Sequence, residues 1–339
     1  MPVSIVSWNV NGIRSYIVDN LDSKKFKDKT TIDPESSLAA IIFEVDPDII
    51  CMQETRCSLD NMLKFKISDW QIFAVSSKMD GARSANRYSG VCMWVKKSFG
   101  DPTNVITHLS TLPTEHYLNN EGRYIELHFK NLVIINTYVP NLGGSMTVES
   151  NRSGNNDMEY LFENNDRLLR WDTALIEHLL DLKKREKEVI LCGDLNVAHL
   201  PEDVFFCDPK LHFKKVNNPN PKQLERFYLS AKVQGLGKHR MPGFTFNERQ
   251  NFTNLLHATG MIDIWREQHP GAKQYSWFNL RQKIQRTKKL GWRIDYFIIS
   301  PSIAVKTVES SIMDHIGEES LRTMGKYSSD HVPVHISIS

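Results

Sequence analysis

Long apolar runs are missing from this 339-residue chain: nothing approaches the ~18 consecutive apolar residues of a membrane span. The opening MPVSIVSWNV enters a strand pattern at once, so neither a membrane anchor nor a secretory signal is expected. Cysteine is scarce and unpatterned. Cys51, Cys57, Cys92, Cys192 and Cys207 are odd in number and lack CxxC spacing. Cys51, Cys92 and Cys192 sit inside apolar runs and read as small buried thiols, which points to a reducing intracellular compartment. Excess charge is also missing. A formal net charge of +2 leaves any attraction to an anionic partner to local patches. No repeat is visible and nothing resembles a linker between two cores, so one domain over residues 1–339 is expected.

What is present is a series of short apolar runs rich in Val and Ile. VSIVSW (3–8), DIICMQ (48–53), GVCMWV (90–95), LVIINTYV (132–139), VILC (189–192), IDYFII (294–299) and VPVHISI (332–338) read as strands. Helices are expected over 36–45, 161–184 and 248–259, the second from the stripe Leu168, Leu169, Trp171, Leu175, Ile176, Leu179 and Leu180. Two segments read as surface insertions. Residues 141–166 are rich in Asn, Ser and Gly, and 207–242 interleave Pro, Asn and aromatics with eight Lys or Arg against Glu225 between 210 and 240.

Four of the strands run out into polar groups: Asn9 and Asn11, Glu54, Tyr138 and Asn141, and Asp194 and Asn196. Two others begin with them, at Asp295 and at Asp330-His331. Strand ends and strand starts share one edge when the strands run oppositely, so a mixed sheet arrangement gathers these groups at one rim. Singly, each has a bland explanation: a turn-forming Asp or Asn, a solvated Glu54, a core Tyr138 with a wet hydroxyl. Six segments each supplying one or two such groups is a coincidence that turn formation does not require.

The donors are carboxylates and amides with one histidine and no cysteine–histidine cluster. Oxygen ligands suit a hard cation, so Mg²⁺, with Mn²⁺ as a substitute, fits better than zinc. Glu54 is the leading candidate ligand and Asp330 the next. A hard metal, a carboxylate able to activate water and a histidine are the parts needed for phosphodiester hydrolysis.

WNVNGIR (8–14), QETR (53–56), TYVPN (137–141), GDLNVAH (193–199), GWRIDY (291–296) and SDHVPV (329–334) occur in that order. Together they resemble the class II abasic-site (AP) endonucleases of the exonuclease III family, within the DNase-I-like endonuclease/exonuclease/phosphatase superfamily. GDLN and SDH alone carry only the superfamily; NERQNF (247–252), YSWF (275–278) and GWRIDY carry the AP-endonuclease branch. The resemblance covers essentially the whole chain. It implies an α/β fold, a four-layer sandwich of two mixed, mainly antiparallel sheets packed face to face and flanked by helices.

The resemblance also implies roles. Glu54 would bind Mg²⁺, assisted by Asn9, Asn11 and Asp330. Asp194 would deprotonate the attacking water and Asn196 would hold that water or a phosphate oxygen. Gly193 would let the chain turn sharply, and Asp194 and Asn196, two apart on an extended segment, would face that water together while Leu195 packs behind them. His331, paired with Asp295, would donate to the phosphoryl oxygen, while Tyr138 and Asn141 would position the scissile phosphate. Trp277, Trp292 and Ile294 would line a pocket that admits an abasic nucleotide and excludes an intact base. Arg14 and Arg56 would lie near the DNA backbone. So would the acid-free run 281–293, which carries Arg281, Lys283, Arg286, Lys288, Lys289 and Arg293.

The implied activity is base-excision repair: cutting double-stranded DNA 5′ to an abasic site, with 3′-phosphodiesterase or 3′→5′ exonuclease side activity. A monomer is expected, intracellular and resident in the nucleus, with mitochondrion and cytoplasm as the alternatives. Another DNase-I-like phosphodiesterase, such as a retroelement endonuclease, an RNA-trimming nuclease or an inositol-phosphate phosphatase, is the alternative. A binding module with a dead site is the remaining one.

Overall fold

The computed structural model describes residues 2–19, 30–32, 36–65, 67, 69–78, 89–142, 167–205, 242–280, 284–316 and 329–339. Among them the strands are β1 (Val3–Asn9), β2 (Ile17–Asp19), β3 (Thr30–Ile32), β4 (Ile49–Gln53), β5 (Trp70–Val75), β6 (Val91–Lys96) and β7 (Asn104–Ile106). They continue with β8 (Tyr124–Phe129), β9 (Leu132–Tyr138), β10 (Glu188–Asp194), β11 (Ile262–Asp263), β12 (Asp295–Ile299), β13 (Thr307–Ile312) and β14 (Val334–Ile338). All but the β2–β3 ribbon belong to two six-stranded sheets, ordered β13-β14-β1-β4-β6-β5 and β11-β12-β10-β9-β8-β7.

The two sheets follow the same plan. Each has a single parallel pair at its centre, β1 with β4 and β9 with β10, and antiparallel pairing on either side. The central strands are apolar along nearly their whole length because both faces are covered. Alternate side chains therefore enter different layers. Ile5, Ile49, Cys51, Met93, Ile134, Ile190 and Phe297 fill the space between the sheets. Val6, Trp8, Ile50 and Trp94 point outward, against Leu38 and Ile41 of the helix Ser37–Val45. On the far side, Ile135, Leu191 and Ile298 pack with Leu175 and Leu179 of the helix Asp172–Lys184, and with Phe252 and Leu255 of the helix Phe246–Thr259. Helix, sheet, sheet and helix make the four layers.

The expected strands are present, and so are the three expected helices, with one change. The α-helix of the second begins at Asp172 after a wider π-type turn, Arg167–Trp171, and Leu169 on that turn is exposed. Strands β2, β3, β5, β7, β8, β11 and β13 have no counterpart in the sequence reading. β13 (TVESSI) carries a glutamate and serines at a sheet edge, and β7 and β11 have only three and two residues, too short for a period to show. Of the two expected insertions, residues 143–166 and 206–241 lie outside the described residues.

This plan explains the polar rim. The parallel pairs end together, so Asn9 pairs with Gln53 beside Glu54, and Asp194 pairs with Tyr138. Their antiparallel neighbours start at the same edge: Asp295 pairs with Asp194, and β14 starts just after His331.

Candidate active site

At that edge the two halves of the sandwich are joined through side chains. Asn9 is fully buried, and its Nδ2 donates to Glu54 Oε1 at 3.0 Å and to Asp194 Oδ2 at 2.9 Å, bridging the first sheet to the second. Its Oδ1 accepts from the Asn11 backbone, and Asn11 Nδ2 donates to Asp330 Oδ1 at 2.8 Å. His331 Nδ1 is 2.9 Å from Asp295 Oδ2, while its Nε2 faces Asp194 Oδ2 at 3.8 Å. Asp194, Asp295 and His331 are all buried.

The backbone is shaped for this. Asn11, Glu54, Arg56 and Asn196 all adopt left-handed φ between 48° and 50°. Such conformations are costly for residues with a Cβ and concentrate where geometry serves a site. The strand of the Asp194 segment contains Gly193, at φ 134°, whose added Cβ would lie 2.0 Å from the Thr137 carbonyl oxygen. The glycine is therefore needed for close approach of β10 to β9, not for a sharp turn. Asn196 is likewise not on an extended segment with Asp194. Its backbone N–H donates to Asp194 Oδ1 at 2.9 Å, and its Nδ2 donates to the Val139 carbonyl at 2.8 Å. That leaves its Oδ1 to accept from Asn141 Nδ2 at 3.2 Å. Leu195 packs behind in the core.

The electrostatics separate acid from base. Burial pushes the Asp194 carboxyl up to about 7, with Asp295 adding to the shift and His331, Asn196 and Asn9 opposing it. Burial by itself would lower His331. The charge and hydrogen bond of Asp295, followed by the charges of Asp194 and Asp330, instead raise it to about 10. The site thus holds a cationic histidine beside a carboxylate poised near neutrality, a pairing suited to acid–base work.

Donor atoms of Glu54, Asp194 and His331 lie within 4.8 Å of one another, a candidate cation site. A cationic His331 with Nδ1 committed to Asp295 is a donor rather than a ligand, which leaves oxygen to do the binding. Asn11 Oδ1 is buried without a hydrogen-bond partner beside Asp330. The oxygen-rich set Glu54, Asn11 and Asp330 fits a hard divalent ion. Arg56 pairs with Glu54 through Nε at 3.1 Å.

Trp277, Trp292 and Ile294 converge with Phe244, Ala198, Val204 and Phe205 in one apolar cluster next to the rim. Trp277 and Trp292 meet edge to face at 6.0 Å, and so do Phe244 and Trp292 at 6.3 Å. The Trp277 indole N–H donates to Asp330 Oδ2 at 3.1 Å, tying the pocket to the cation-side carboxylate. Phe244 went unnoticed in the sequence, as did Arg123, whose guanidinium lies 4.7 Å over the Tyr138 ring. The only available signal was their nearness to NERQNF and to the β8 start.

The basic residues do not behave as one patch. Arg14 and Arg56 are on the surface, and Lys288 and Lys289 are exposed. Arg281 and Lys283 lie outside the described residues. Arg293 is a correction: it is fully buried, with Nε 2.8 Å from Asp203 Oδ1 and Nη2 2.6 Å from Asp263 Oδ2. Because Trp292 and Ile294 face the pocket, the residue between them must point the other way, into the protein. Arg286 of the same run is buried too, donating to the Ser329 and Ile316 carbonyls.

Two face-to-face mixed sheets carrying this rim define a DNase-I-like α/β sandwich. The chain belongs to the Endonuclease/Exonuclease/phosphatase family, which it matches over residues 6–331. An exodeoxyribonuclease of Bacillus subtilis is 30% identical over 338 residues, covering 99% of this chain and 100% of the relative. The DNA repair nuclease APEX1 of Danio rerio is 28% identical over 340 residues, covering 98% of this chain and 81% of the relative. An AP endonuclease structure from Leishmania major superposes with a TM-score of 0.67 at 21% identity, covering 99% of this chain and 87% of that one.

Proposed function

We propose that this protein is a DNA-repair AP endonuclease that hydrolyses the phosphodiester 5′ to an abasic site in double-stranded DNA, using Mg²⁺ and leaving a 3′-hydroxyl and a 5′-deoxyribose phosphate. One observation carries the reading. The Asp194–His331–Asp295 group and the Trp277–Trp292–Ile294 pocket adjoin, linked by the Trp277–Asp330 hydrogen bond. An abasic nucleotide has no base to unstack, so it swings out of the duplex more cheaply than an intact one by a few kcal/mol, and a small apolar pocket then suffices to select it.

Bound at Glu54, with Asn11 and Asp330 alongside, a divalent ion would polarise a phosphoryl oxygen and offset charge developing on it. The remaining work falls to this chain. Asp194, once ionised, takes a proton from the attacking water. Asn9 holds Asp194 Oδ2 and Glu54 Oε1 in fixed register. His331 donates from Nε2 to the phosphoryl oxygen, with Asp295 holding the ring's charge and orientation through Nδ1. Asn141, Asn196 and Tyr138 position the phosphate. The names of the relatives support DNA as substrate and exonuclease as a side activity, which we read as 3′→5′. Four free buried thiols among the described residues support an intracellular setting, and nuclear residence as a monomer completes the reading.

The test is incision of a duplex containing one tetrahydrofuran abasic analogue, beside a matched undamaged duplex, with Mg²⁺ and with EDTA. Mg²⁺-dependent cutting confined to the analogue is expected. Equal cutting of both duplexes, or none of either, would refute the reading.

A further inference from the structure

The first turn of the helix Phe246–Thr259 contains a buried carboxylate that the hydrolytic chemistry does not use. Glu248 accepts from the Gly243 backbone N–H at 2.8 Å, from the Thr245 backbone N–H at 3.0 Å and from Thr245 Oγ1 at 2.7 Å. The Thr245 contacts form a capping box and would suffice to start the helix. Two further contacts exceed that need. The Gly243 N–H belongs to the strand of chain leading into Phe244, and Arg167 Nη1 donates to Glu248 Oε1 at 2.7 Å.

Arg167 is also buried, and its other bonds reach the hydrolytic loop. Nη1 donates to the Asn196 carbonyl at 3.0 Å, and Nη2 donates to the Leu195 carbonyl at 3.0 Å. Gly243 meets the same loop from the opposite side: its carbonyl accepts from the Ala198 N–H at 2.7 Å. A Cβ at Gly243 would lie 3.1 Å from Trp292 Cζ3 and 3.4 Å from the Asn196 carbonyl oxygen, so pocket wall and loop press on one glycine. Phe244, the next residue, packs on Trp292 and lies under the Arg249 guanidinium at 4.2 Å.

We propose that Glu248 is a positioning residue that, together with Arg167, couples the apolar pocket at Gly243–Phe244 and Trp292 to the backbone of Leu195–Asn196, so that occupancy of the pocket sets the hydrolytic loop. The proposal rests on the reading of the site given above. A buried carboxylate and guanidinium exchanging geometrically directed hydrogen bonds form a stiff link, because neither can leave the other without stranding a charge. A nucleotide seated against Phe244 and Trp292 thereby loads Gly243. Glu248 passes that load through Arg167 to the consecutive carbonyls of Leu195 and Asn196. The chain exploits the π-type turn Arg167–Trp171 to bring Arg167 to this point, ahead of the regular helix.

The experiment is a double-mutant cycle on the single-tetrahydrofuran duplex, with Glu248→Gln, Phe244→Ala, the double variant, and Arg167→Lys. Lysine keeps the positive charge but cannot grip two carbonyls and a carboxylate in one plane. Glu248→Gln and Arg167→Lys are expected to lose about 10–100-fold in kcat, with KM within about threefold of wild type. The double variant should fall no further than its worse parent, because pocket and loop are already uncoupled. Multiplying effects in the double variant, or a loss confined to KM, would overturn the coupling. If Glu248→Gln fails to fold, wild-type kcat in Arg167→Lys overturns it instead. Failure of the wild type to cut the analogue would sink the proposed function and the coupling together, whereas a cutting wild type with multiplying effects sinks the coupling alone.

Discussion

His331 and Asp295 form a hydrogen bond of 2.9 Å across the sandwich, from the start of a strand in the first sheet to the start of one in the second. Neither residue is near the other in sequence, so the bond exists only when both sheets are in register. His331→Ala removes the donor aimed at the phosphate and should lower kcat by about 10²–10³-fold. Asp295→Asn should lower it too, with a smaller effect on substrate affinity, because the imidazole loses the charge that orients it. Single-turnover incision rates check both, and unchanged rates in either variant would remove the pair from the chemistry.

The opposed shifts of Asp194 and His331 give a pH profile with a definite sense. Asp194 acts ionised, and its value is raised to about 7, so kcat should climb as pH rises through that region. His331 acts protonated, and its value is raised to about 10, so kcat should fall above it. For Asp194 the stability sign opposes the activity sign, whereas for His331 the two agree. The raised Asp194 contributes stability that is full below its unfolded value near 4 and lost as pH rises through about 7. The raised His331 contributes stability that is full below about 6.5 and lost through about 10. A kcat profile falling between pH 6 and 8 would contradict the assignment of Asp194 as base.

Loss of Glu54 should appear in metal dependence rather than in folding. Glu54→Gln keeps the size and one acceptor for Asn9, yet gives up the charge that a hard cation needs. The Mg²⁺ concentration for half-maximal rate should rise at least about tenfold, on the scale of losing a ligand or its support. A titration of activity against Mg²⁺ measures this, and an unshifted midpoint would place the ion elsewhere.

The rim was legible in sequence because each strand announces its own polar end, and because the antiparallel partners Asp295 and His331 begin theirs. What was illegible were directions that only packing decides. Gly193 reads as a turn glycine, but its function is to let the Thr137 carbonyl approach. Arg167 and Glu248 act on backbone carbonyls and N–H groups, which leave no trace in side-chain pattern. Phe244 borders the pocket from a segment with no strand or helix period of its own. Charge counting failed for Arg286 and Arg293 because a run of basic residues says nothing about which of them point inward.

Gly193→Ala offers a direct check on the close approach. The Cβ would overlap the Thr137 carbonyl, whose strand is fixed by pairing with Gly193 itself. Backbone strain alone should cost about 1–3 kcal/mol, before the clash is relieved by moving β9. Urea denaturation should show a lower midpoint. Incision should fall as well, since Tyr138 and Asp194 pair across the next position.

Arg293 separates a structural charge from a DNA-contacting one. Its guanidinium bonds both oxygens of Asp203 and both of Asp263, and Asp203 is held ionised well below the usual carboxylate range despite burial. The Arg266 guanidinium shares Asp203, but Arg266 meets Asp263 only through its uncharged backbone N–H, at 3.3 Å. Arg293→Met would therefore leave Asp263 buried without its cation, and removing one partner of a buried pair typically costs about 3–5 kcal/mol. The unfolding free energy should fall by that order. A residue that neutralised phosphate would instead leave stability unchanged and flatten the dependence of DNA affinity on salt. Arg293→Met should do the reverse, keeping the salt slope of whatever protein remains folded. Stability at wild-type level with a flatter slope would return Arg293 to the DNA surface, and with it the Trp292–Ile294 wall would need a different support.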